Sequence, residues 1–102
     1  MVNFHTGPAS GSAPQQKAVG VASSEVVAEN YSRAGLVLVN LSDGTMYLGF
    51  GTNAAVVGAG MVILPFGGSW MMTEFSYTKE AVNAIAHSAD SVLAVQEFVA
   101  RA

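Results

Sequence analysis

Cysteine is absent from this 102-residue chain, so neither a disulfide framework nor a thiolate metal site is open to it. A chain without disulfides is expected to assemble in a reducing cytoplasm. Charge is also scarce. Charged residues make up 11% of the sequence, less than half the roughly 25% of an ordinary soluble domain. The basic residues, Lys17, Arg33, Lys79 and Arg101, are scattered singly, and the formal net charge is −3. A nucleic-acid surface gathers several cations on one face to neutralise phosphates, so no nucleic-acid partner is expected. Long apolar runs are missing too. The richest window, 54–66, is broken by Gly58, Gly60 and Pro65, and no run reaches the ~18 residues of a membrane span. No membrane partner is expected. The opening "MVNFHTGPASGSAPQQK" has no basic stretch followed by an apolar one, which argues against a signal peptide. The glycosylation-type triplets at Asn30 and Asn40 then read as chance.

What the chain does have is apolar surface: hydrophobic residues are 51% of it. In "GLVLVNLSDGTMYLGFG", residues 35–51, Leu36, Val37, Leu38, Val39 and Leu41 are interrupted only by Asn40. Successive side chains of a strand point to opposite faces, so both faces of this strand are apolar. One can line a core, and the other needs a second cover. A chain of this length makes one domain with little material to spare.

Residues 1–17 differ from the rest. Gly7, Pro8, Ser10, Gly11, Ser12 and Pro14 punctuate them, a composition that cannot pack a core alone and reads as an extended arm. Val2 and Phe4 sit at its tip as two apolar anchors, so the segment reads either as an ordinary frayed terminus or as an arm that orders by docking on another subunit. Residues 18–102 read as a single β-domain. Short strands are expected at 18–22 and 25–28. A strand from Gly35 to Leu41 should turn at Ser42-Asp43-Gly44 and pair with Thr45–Gly51 as a hairpin, since Asp-Gly supplies positive φ. Further strands are expected at 61–64, 70–78 and 92–99, while Ala81–His87 suits helix or strand by period. Seven or eight short strands at regular spacing point to an all-β fold: a compact antiparallel β-sandwich or barrel, jelly-roll-like, with the extended N-terminal arm.

Residue patterns with chemical potential are few. Gly49-Phe50-Gly51-Thr52-Asn53-Ala54 matches G-x-G-x-x-A, yet Gly58, Gly60 and Pro65 deny the helix a dinucleotide site requires. Close packing or a bulge explains those glycines better. His5 and His87 are the only imidazoles and lack ligand spacing for zinc. His87, Ser88, Asp90 and Ser91 suggest a triad by residue type, but a turn accounts for them. Glu74 and Glu97 could form a glycosidase-type pair or simply guard strand edges. Trp70, Tyr47, Phe75 and Tyr77 could make a stacking platform for a sugar, although strand aromatics more often serve core or interface. No enzyme activity, cofactor or metal is expected.

The order Arg33-Ala34-Gly35-Leu36, "NLSDGTMYLGFG", a glycine-spaced loop, "LPFGGSW", "FSYTKEAVNAIA" and "LAVQEF" resembles small structural proteins of tailed bacteriophages, the capsid decoration or cement proteins and head-fibre β-modules. The resemblance spans roughly residues 31–99, rests on turn spacing and apolar order, and leaves out the arm. It implies a non-enzymatic protein on the virion capsid surface, assembled in the host cytoplasm. Its partners would be the major capsid protein and further copies of itself, as a homotrimer that bridges capsomers. The interface is expected to draw on Val2, Phe4, Leu36, Leu38, Tyr47, Trp70, Met71 and Phe75. A receptor- or carbohydrate-binding module of a fibre or spike, and a tail or connector subunit, are the other readings.

Overall fold

A computed structural model describes residues 9–73 and 76–100. Nine strands are assigned among them: β1 (Ala9–Gly11), β2 (Gln15–Val19), β3 (Ser24–Val27), β4 (Arg33–Asn40), β5 (Met46–Phe50), β6 (Met61–Ile63), β7 (Ser69–Met71), β8 (Val82–Ala86) and β9 (Ser91–Ala100). They form two antiparallel sheets. One runs β1-β9-β4-β7, with β2 also pairing on β9; the other runs β3-β8-β5-β6. The fold is therefore all-β and sandwich-like. Strands 2-9-4-7 facing 3-8-5-6 is the strand order of a jelly roll, in which the chain crosses repeatedly between sheets. Among the described residues no helix is long and apolar enough to cross a membrane.

Alternation builds the core. Leu36 and Leu38 of β4, Met46 and Leu48 of β5, Val82, Ala84 and Ala86 of β8, and Leu93 and Val95 of β9 all point between the sheets, joined by Val19, Ile63 and Met72. Burying each large aliphatic side chain contributes about 1.5–3 kcal/mol. The segment Ala81–His87, open between helix and strand by period, is strand β8. Val82, Ala84 and Ala86 recur every second position and are buried, while Asn83 and Ile85 between them are half-buried, the alternation of a strand.

The hairpin expected at Ser42-Asp43-Gly44 does not form. β4 pairs with β9 and β7, and β5 pairs with β8 and β6, so the turn carries the chain from one sheet to the other. Neither Asp43 nor Gly44 takes positive φ. The physical reason lies in Asn40, which is fully buried. Its amide nitrogen donates to the carbonyls of Gly44 (2.7 Å) and Ile63 (3.2 Å), and its oxygen accepts from the Ser42 amide (2.9 Å). This side chain fixes an arch in which the apolar faces of β4 and β5 oppose each other across the core. Of strands consecutive in the chain, only β5 and β6 pair.

Two further expectations change. The strand expected over 70–78 ends at Met71. Met72 turns into the core, and a local turn follows in which the Thr73 amide donates to Ser76 Oγ (2.9 Å) and the Ser76 amide to the Thr73 carbonyl (3.1 Å). The boundary expected at residues 17 and 18 falls inside β2. From Ala9 on, the extended N-terminal segment is laid along β9, Ser10 opposite Val99 and Lys17 opposite Leu93. The link at Ser12 is tied down as well: its amide donates to the Glu97 carbonyl (2.8 Å) and its carbonyl accepts from Gln96 Nε2 (2.6 Å).

Candidate interaction surface

The jelly-roll path gathers loops at two opposite ends. Loops 20–23, 41–45, 64–68 and 87–90 lie at one end, and 28–32, 51–60, 72–73 and 76–81 at the other. The first end carries four exposed large apolar side chains, one or two on each of three loops: Val21, Leu41, Leu64 and Phe66. Phe66 stands out, being 79% exposed while its backbone sits at φ 58°. Left-handed backbone is rare and strained for a bulky residue. The turn that imposes it is pinned from both sides. The Phe66 amide donates to the Ser42 carbonyl (2.9 Å), the Gly67 amide to the Asn40 carbonyl (2.8 Å), and the Asn40 amide to the Gly68 carbonyl (2.8 Å). Gly68 is required there, because a Cβ would lie 2.2 Å from the Leu64 carbonyl oxygen. The aromatic ring is thus held outward by a rigid frame rather than hanging from a loose loop.

Apolar exposure continues down one long edge. β6 and β7 are the outer strands of their sheets on the same side, and Met61, Val62 and Met71 on them are exposed. Each strand is only three residues long, a common way of blunting an edge. The outer face of the first sheet presents half-buried Val37 and Val39 of β4 beside Ala94 and Phe98 of β9. The outer face of the second sheet is covered from within: the loop after β5 folds over Gly49, whose Cβ would lie 2.6 Å from the Asn53 carbonyl oxygen. Asn83 holds that loop through the carbonyls of Gly51 (3.2 Å) and Asn53 (2.7 Å), and the Ala55 amide donates to Ser23 Oγ (2.9 Å). The G-x-G-x-x-A match is therefore a packing device, and no helix follows it.

The expected interface residues divide. Leu36 and Leu38 are 1% and 0% exposed, so they serve this chain's own core and offer nothing to a partner; alternation assigns the outward role to Val37 and Val39. Tyr47 is buried as well, its ring edge-on to His87 and its hydroxyl 3.0 Å from His87 Nε2. Trp70 is half-buried with its ring 5.5 Å from that of Phe50, packed against the core. Met71, at 64%, is exposed as an interface requires. Val2, Phe4 and Phe75 lie outside the described residues, as do His5 and Glu74. Sequence reasoning missed Phe66, whose only local sign is the Pro-Phe-Gly-Gly setting.

Among the described residues no group of three or more His, Asp or Glu side chains could hold a metal. Ser91 is buried and donates to the Ser88 carbonyl (2.9 Å), which makes the 87–91 segment a turn. Glu97 accepts from Arg33 Nε at 2.7 Å, and the buried guanidinium also donates to the carbonyls of Ala28, Thr78 and Glu80 at 2.7–3.1 Å. The Tyr77 hydroxyl donates to the Arg33 carbonyl. Arg33 thus ties three segments together at the second end. There the exposed Tyr31 hydroxyl donates to the Glu29 carboxylate, which raises its pKa through that hydrogen bond and through its negative charge.

Two depressions accompany these surfaces. One, of about 310 Å³, opens between β2 and β3 and is bordered by Gln15, Lys17, Val26, Val95 and Glu97. The other, of about 280 Å³, lies at the second end and is lined by Phe50, Met61, Ser76, Tyr77, Thr78 and Glu80. Compared with protein-family models, curated proteins and solved structures, the chain matches none.

Proposed function

We propose that this protein is a non-enzymatic structural subunit that works inside a larger protein assembly, as a decoration or cement protein on a bacteriophage capsid. The observation that carries the assembly reading is the apolar end formed by Val21, Leu41, Leu64 and Phe66, continuous with the Met61, Val62 and Met71 edge. A domain with so little charge and so much exposed apolar surface is suited to burial against another chain. The phage assignment adds the sequence resemblance, and the jelly-roll order is one that viral capsid domains use, an analogy of fold alone. In this reading the protein binds the major capsid protein and itself, as a homotrimer. Many copies binding only the assembled shell stabilise it by mass action, and several weak contacts per trimer add avidity.

The test is co-sedimentation of the purified protein with expanded and unexpanded empty phage shells, alongside its mass by light scattering. Binding to expanded shells, with a raised shell melting temperature, is the expected result. A protein that stays in the supernatant with both kinds of shell overturns the cement reading.

A further inference from the structure

The first end offers a knob and the second a hole. We infer that copies of this chain associate head to tail, Phe66 of one copy seating in the depression lined by Phe50, Met61 and Tyr77 of the next. This deepens the assembly reading above by naming the contact through which copies join.

Three observations carry it. Phe66 is the most exposed large apolar side chain among the described residues, held out in strained backbone by hydrogen bonds on both sides of its turn. Preorganised aromatic anchors that fill pockets are what dominates protein interfaces. The depression joins the apolar walls of Phe50, Met61 and Tyr77 to the polar Ser76, Thr78 and Glu80, and its volume of about 280 Å³ leaves room for an aromatic ring. Finally, knob and hole cannot meet within one copy. Tyr77 donates to the carbonyl of Arg33, the first residue of β4, whereas the Phe66 amide binds Ser42, two residues past its last. An eight-residue strand separates its ends by about 23 Å, so a copy's own Phe66 cannot reach its own depression, whereas that of a second copy can.

A contact between two different patches is heterologous. It closes into a ring where the rotation between copies permits and otherwise grows as a filament. Either outcome fulfils the inference, while a filament would sink the homotrimer without touching it.

Sedimentation of the full chain without shells tests self-association apart from shell binding. Phe66→Ser removes the knob, and Met61→Glu puts a charge at the rim of the hole; Glu80→Tyr is a second block of the hole should the first variant melt early. Each variant alone is expected to associate roughly 10- to 100-fold more weakly than the parent. A mixture of the Phe66→Ser chain with a hole-blocked chain leaves one intact knob and one intact hole. It should form one-to-one heterodimers and nothing larger. A parent chain that stays monomeric at about 1 mM, variants that associate like the parent, or a mixture in which no heterodimer appears would each overturn the inference.

Discussion

Arg33 shows how much one side chain can hold. Its guanidinium satisfies three backbone carbonyls and a carboxylate while fully buried, so removing it strands four acceptors at once. Arg33→Met should destabilise the fold by about 3–5 kcal/mol, read as a lower urea midpoint with an unchanged slope. Phe66 stands at the other extreme. Asparagine tolerates left-handed backbone far better than phenylalanine, so Phe66→Asn should leave the monomer's stability unchanged or raise it by about 1 kcal/mol. Self-association should fall in the same variant. A melt and a sedimentation run on one sample check both halves, and a monomer that loses stability would mean the ring packs against its own chain. At Gly49 the approach of the Asn53 carbonyl leaves no room for a methyl group. Gly49→Ala should cost about 1–3 kcal/mol, visible as a lower melting temperature.

At the scale of elements, the N-terminal segment is the instructive case. Read from composition, residues 1–17 are an arm whose loss leaves the domain folded. The structure pairs β1 and β2 with β9 along eight residues, so a deletion through Lys17 removes β1 and most of β2. That exposes the edge of the longest strand, β9, an invitation to aberrant pairing. The deletion should lower the melting temperature and promote aggregation. Deleting residues 1–8 instead leaves every described strand pair intact and should preserve stability; light scattering during the melt separates the two truncations. Turn chemistry misled in a similar way at Ser42-Asp43-Gly44. Short-range signals report that the chain turns, but whether the next strand lies beside its predecessor or across the core depends on which neighbours each strand finds.

For the whole molecule, the low charge bears on the proposed association. An interface built on Phe66 and its apolar surroundings gains little from ion pairs, so raising salt from about 0.1 to 1 M, where the screening length falls to about 3 Å, should leave self-association unchanged or strengthen it. Calorimetry should show a negative heat-capacity change on association, the mark of apolar burial. Dissociation by salt would point to a contact elsewhere, made by charges.

The sequence by itself determined the all-β class and most strand positions, because a period of two is written locally in which residues are apolar. The glycines around residue 50 were legible as packing devices, while Ala81–His87 stayed open between helix and strand until its partners were known. What it could not determine was which strands pair, since pairing is settled by long-range partners that no local window contains. Only the tertiary structure decided that Leu36 and Leu38 face the chain's own core, because both faces of β4 are apolar and either could have turned inward. It alone brought Arg33 to Glu97 and drew the N-terminal segment onto β9. It also set Phe66 apart, since exposure and backbone strain at a turn come from what packs around it, and no residue type announces either.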